Sequence, residues 1–154
     1  MRRFASLMIL LVLSSFLLCG GTAGEETEYD KVRIKKMPIA MQCWTFHRFS
    51  FFETLKKVEE LGIKYLEAFP GQALDKKNPK VRFHHTMNDD RIKLVKEKLK
   101  EHGITLVSYG VVGFKNDAAS MKEVFDFAKK MGIRTIVTEP DYDDYSLIEK
   151  MVKK

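Results

Sequence analysis

Beyond Pro38 the apolar positions follow two alternating rhythms. Short apolar runs at 39–46, 63–69, 104–109 and 133–138 read as strands. After each, apolar residues recur every three or four positions, the spacing of one face of a helix. The predicted inward faces are Phe51, Phe52, Leu55 and Val58, then Ile92, Val95 and Leu99, then Met121, Val124, Phe125 and Ala128, then Leu147, Ile148, Met151 and Val152. Ser50 with Glu53, and Ser120 with Glu123, have the spacing of a capping box, and Asn88-Asp89 marks a third helix start. Three helices close on one signature: Leu61-Gly62-Ile63, His102-Gly103-Ile104 and Met131-Gly132-Ile133. A glycine there can turn left-handed and end the helix, so the next strand begins at once. The long stretch 70–86, with Gly71, Pro79 and the pair His84-His85, reads as a loop.

Strand then helix, four times with tight returns, predicts parallel strands covered by helices. Two architectures repeat this unit, an open doubly wound sheet and a (β/α)8 barrel. A dinucleotide-binding sheet carries a glycine-rich turn after its first strand, so that backbone amides can reach a pyrophosphate. Here that position holds Trp44-Thr45-Phe46-His47-Arg48-Phe49, aromatic and free of glycine, and no GKS or GKT loop occurs. Nucleotide-binding folds are disfavoured.

The first 24 residues change the picture. Met1-Arg2-Arg3 precedes an apolar run over 4–18, and Gly20-Gly21-Thr22-Ala23-Gly24 supplies small residues for a signal peptidase. That run is shorter than the roughly 20 residues of a membrane-spanning helix. Residues 1–24 are therefore read as a cleaved export signal, with a periplasmic or secreted destination, and 25–37 as a polar leader. Cys19 is the alternative, a lipoprotein anchor, but Leu18 stands where a small residue normally precedes the acylated cysteine. Cleavage leaves Cys43 as the single cysteine, which excludes an intramolecular disulfide, and beside Met41 and Trp44 it reads as a packed residue. Lysines and arginines number 27 against 21 acids, and the acids interleave with them. That is a solvated face, not a stripe for nucleic acid.

Four segments resemble the sugar phosphate isomerase/epimerase family, xylose isomerase-like TIM barrels. They are Ile39-Ala40-Met41-Gln42-Cys43-Trp44-Thr45-Phe46, Tyr65-Leu66-Glu67-Ala68-Phe69-Pro70-Gly71-Gln72, Val107-Ser108-Tyr109-Gly110-Val111-Val112-Gly113 and Ile136-Val137-Thr138-Glu139-Pro140. The resemblance implies an α/β fold, the xylose isomerase-like (β/α)8 barrel, with residues 38–154 supplying about its first four units. A whole barrel needs about 200 to 250 residues. It also implies an exported sugar or sugar phosphate isomerase or epimerase that removes a proton next to a carbonyl. Alternatives are a keto-sugar lyase or hydrolase of the same fold, or a non-catalytic carbohydrate-binding half-barrel. In that family a divalent metal is bound mainly by residues of the second half. No residue here matches a metal ligand, so the chain by itself is expected to be inactive.

Barrel sites lie at the C-terminal ends of the strands. This makes Glu139 and Glu67 the catalytic candidates. Trp44, His47, Gln72, His84, His85 and Tyr109 become substrate-binding candidates for a carbohydrate, an aromatic face meeting the C–H side of a sugar ring. Glu139 has a second reading, as a dipole partner of the fourth helix. The two histidines, adjacent in an extended loop, are expected to point to opposite sides. The outer strands would leave unpaired edges through which the chain could self-associate.

Overall fold

The computed structural model describes residues 33–34, 37–114 and 117–153. The export signal expected at 1–24 lies outside the described residues, as does most of the polar leader. Among the described residues no helix is long and apolar enough to cross a membrane.

The chain is a mixed α/β fold built on a four-stranded parallel sheet. A small antiparallel hairpin, β1 (Arg33–Ile34) and β2 (Met37–Pro38), comes first. The sheet comprises β3 (Ala40–Gln42), β4 (Tyr65–Ala68), β7 (Thr105–Tyr109) and β8 (Thr135–Ile136). Its spatial order is β3-β4-β7-β8, so each strand lies beside its predecessor in the chain. Between them run α1 (Phe51–Glu60), α2 (Asp89–Glu101) and α3 (Ala118–Met131), and α4 (Tyr145–Val152) follows β8.

The helix boundaries follow local chemistry. Ser50 and Glu53 form the expected capping box, with the Glu53 amide donating to Ser50 Oγ at 3.3 Å and the Ser50 amide donating to Glu53 Oε2 at 3.0 Å. Asn88 caps α2 by accepting from the Arg91 amide. All three Gly-Ile joins close as expected: the isoleucine amide reaches back over the glycine to Val58, Leu99 and Ala128 carbonyls at 3.1, 2.9 and 2.9 Å. His102 tethers α2 to α1, its Nδ1 lying 2.6 Å from Glu59 Oε2.

Several expectations are corrected. The first strand was predicted over 39–46 but ends at Gln42, and Cys43–Phe46 curl into a 3-10 turn closed by the His47 amide on Trp44 O. The fourth, predicted over 133–138, is only Thr135–Ile136, which among the described residues pairs with β7 alone, at Ser108 and Tyr109. The third helix is capped by Asp117, whose carboxylate accepts from the Ala119 and Ser120 amides, so Ser120 lies inside it. Its buried stripe then includes Phe127 and Met131, with Phe125 only half-covered. The stretch read as a loop contains an antiparallel hairpin, β5 (Ala73–Asp75) and β6 (Asn78–Arg82), which accepts Pro79 because it is no part of the main sheet.

Side chains alternate across the sheet, and one set is buried with the helices: Leu66, Ala68, Leu106 and Tyr109. Phe83, just past the hairpin, centres this core. It stacks on Phe51 at 4.5 Å and lies 5.9 Å from both Tyr109 and Phe127. The other face is polar. There Gln42 pairs with Glu67, Glu67 with Ser108, and Ser108 with Thr135 in register across four strands.

Candidate functional site

The ends of β3 and β4 carry one group of the candidates. Beyond Gln42 the 3-10 turn lifts Trp44 into solvent, 57% exposed, where His47 stacks on it at 4.9 Å and Phe69 meets it edge-on at 5.0 Å. The His47 ring is held by its Nδ1, 2.9 Å from Trp44 O. Trp44, His47 and Gln72 line one cleft of about 580 Å³ with Arg48, Glu53 and Arg82. Gln72 itself is buried, its Nε2 donating to Phe49 O at 3.1 Å and to Thr54 Oγ1 at 3.0 Å, which braces the cleft wall against α1. Its Oε1 has no partner among the described residues.

Glu67 stands half-buried on the polar sheet face, where Gln42 Nε2 donates to its Oε1 at 2.7 Å. Ser108, in register beside it, has a buried hydroxyl without a partner among the described residues. A carboxylate next to an orphan hydroxyl can take up a proton and orient a polar ligand group. Cys43 is fully buried close to this carboxylate, and desolvation, then the Glu67 charge, push its thiol far above the ordinary range. It is no nucleophile at neutral pH.

A third group lies between sheet and helices. Contrary to expectation the two adjacent histidines do not diverge: the His84 and His85 rings lie against each other, tilted by 34° with centroids 3.9 Å apart. His85 Nδ1 is 3.1 Å from the Tyr109 hydroxyl. Tyr109 is fully buried, and burial raises its phenol above the usual value. Desolvation, helped by the His84 charge, holds the His85 imidazole down at about 4, so it is neutral near pH 7. His84 is also lowered by desolvation, against the nearby Glu123. Glu139 is exposed beyond β8, bonded to no other candidate among the described residues, and α4 begins only at Tyr145, too far along to make Glu139 its first-turn acid.

The candidates therefore divide into the Trp44 cleft, the Glu67 face and the histidine pair, with Glu139 apart. Sequence reasoning missed Gln42, Arg48, Glu53 and Arg82. For Arg82 the signal was available, since Lys80-Val81-Arg82-Phe83 alternates polar and apolar as a strand does. Among the described residues no group of three or more His, Cys, Asp or Glu side chains is placed to hold a metal ion.

Neither a family model nor a curated protein matches the chain. Among solved structures it is similar to the crystal structure of an uncharacterized protein from Parabacteroides distasonis ATCC 8503. The two share 31% identity at a TM-score of 0.69 over 74% of this chain, which spans about half, 48%, of that one.

Proposed function

We propose that this chain carries a carbohydrate site of the sugar isomerase or epimerase kind, on four units of a (β/α)8 barrel in an exported protein. The observation that carries the reading is the order of the sheet. In a doubly wound fold the strand order reverses and helices cover both faces. Parallel crossovers are almost always right-handed, so an unbroken order β3-β4-β7-β8 favours helices on one face, with the other left polar as the inner wall of a barrel site would be. Trp44 offers a ring-sized apolar surface at the strand ends. Glu67 is the proton acceptor for a C–H next to a carbonyl, oriented by Gln42. A divalent metal, which that family uses to polarise the carbonyl, finds no set of three ligands among the described residues, and no step is assigned to one.

Trp44 is the single tryptophan, so fluorescence reports on this site alone. Titration with neutral aldoses and ketoses should shift its emission to the blue, and any exchange of the proton beside the carbonyl in D2O should be lost in Glu67→Gln. Binding without exchange would leave a carbohydrate-binding module. A flat titration across the panel overturns the reading.

A further inference from the structure

A second cleft, of about 530 Å³, opens on the flank of the β5–β6 hairpin, and Lys80, Arg82, His84, Thr86 and Arg91 line it. We propose that it binds a phosphate group, free or as a monoester. Lys80 and Arg82, two apart on β6, project from the same side of that strand. Arg82 Nη1 donates to Gly71 O at 3.2 Å, which fixes the guanidinium at the rim. Arg91 sits in the first turn of α2, where the helix dipole disfavours a cation, so helix stability does not account for its place.

What sets this cleft apart is its lining: no acid of the described residues lines it, whereas Asp89 and Glu97 line the lysine-rich cleft along α2 and Glu53 lines the Trp44 cleft. Lys76, Lys98, Lys122, Lys130 and Lys153 each hold an acid. Among the described residues Lys80, Arg82 and Arg91 enter no ion pair, and Asp89 beside Arg91 is engaged by Lys130 at 2.8 Å. Three cations outside any ion pair around one concavity, with the single charge of Glu123 near His84, form a net positive potential that a multivalent oxyanion would relieve. His84 adds a neutral donor. Its Nδ1 accepts from the Thr86 amide at 3.3 Å and lies 2.9 Å from Thr86 Oγ1, which leaves the ring hydrogen on Nε2. Arginine forks and an N–H donor suit the several oxygens of a phosphate better than the two of a carboxylate. The site is independent of the sugar reading, although Gly71 and Arg82 line both clefts.

Calorimetric titration of the purified chain with inorganic phosphate and with glucose 6-phosphate tests the assignment. The double variant Lys80→Gln/Arg91→Gln should weaken both by about tenfold or more. A charge-matched control, Lys93→Gln/Lys96→Gln on the flank of α2 that faces Lys130 of α3, should change them by less than about twofold. All are exposed positions, and equal melting temperatures would exclude misfolding. Equal affinities for the two ligands assign the site to free phosphate, and tighter binding of the ester assigns it to a monoester. Absence of phosphate binding, or the same loss in both double variants, overturns the proposal. Neither outcome depends on whether neutral sugars move the Trp44 emission.

Discussion

The second and fourth strand–helix units have the same sequence pattern and different fates. β4 is flanked on both sides, and α2 buries Ile92, Val95 and Leu99. β8 is two residues long with one neighbour among the described residues, and no residue of α4 is fully buried. Leu147, Ile148 and Met151 are half-covered, whereas Val152 is 68% exposed. An apolar stripe is enough to specify an amphipathic helix, but burying it takes neighbours on both flanks. The polar face of the sheet and the bare side of the fourth unit are therefore aspects of one geometry, a parallel sheet that ends on an open edge.

The sharpest way to test this contrast is at the hub of the well-packed side. Phe83 is fully buried against Phe51, Tyr109 and Phe127, so Phe83→Ala should cost about 3 to 5 kcal/mol in urea unfolding. A loss near 1 kcal/mol would mean that the aromatic cluster is loosely packed and the two sides are alike.

The next effect lies at the seam between them. The Gly110 amide donates to Ala68 O, and Val112 and Tyr109 exchange bonds with Val137, stitching β8 to the sheet. A Cβ on Gly110 would lie 2.3 Å from Val137 O and 2.7 Å from Val137 Cβ. Because the obstacle is backbone, Gly110→Ala should cost about 2 to 3 kcal/mol. Hydrogen exchange should locate the damage, with protection lost at the Val112 and Val137 amides and kept along β4.

These two positions also show how far the sequence could be read. The four units, the Gly-Ile helix ends and the inward faces of α1 and α2 were legible because each rests on bonds within a few residues. Phe83 was not, since a proline, charged neighbours and the surrounding turn residues masked a hairpin whose partner strand is equally short. β3 ends early because Cys43–Phe46 curl into a 3-10 turn, and β8 is short where it pairs with β7 alone among the described residues; the apolar run at either place records neither. Site residues were legible as types at strand ends. Their grouping was not: the contact of the His84 and His85 rings and the burial of Tyr109 follow from tertiary packing alone.

Acid should act on the packed side before the open one. The His85 imidazole is lowered from 6.5 to about 4, mainly by desolvation, so the folded chain binds fewer protons there than the unfolded chain. Its contribution is whole above pH 6.5 and is lost as pH falls from 6.5 through about 4. For a half-exposed ring, discounted for solvent screening, the loss is about 1 to 2 kcal/mol. Unfolding free energies measured between pH 7.5 and 4 should fall for the parent chain and fall less for His85→Gln. A parallel decline in both would place the acid-sensitive group elsewhere.

The smallest effect is expected on α4, and it bears most directly on what covers the open side. Ile148 and Met151 line a cleft of about 280 Å³ with Phe114, Phe125, Ile133 and Ile136, so the stripe touches the fold on one flank only. Truncating a fully enclosed isoleucine costs about 2 to 5 kcal/mol, because a cavity remains that the surroundings cannot fill. At Ile148 water already reaches the side chain, so Ile148→Ala should cost no more than about 1 kcal/mol. The measurement is urea unfolding at low and high protein concentration, with light scattering alongside. A small, concentration-independent loss keeps the fourth unit as the bare end of the sheet. A loss above about 2 kcal/mol that grows with concentration would mean a second copy packs on this face. The contrast between the two units would then belong to the lone chain and vanish in its assembly, with the unpaired edge of β8 the natural seam.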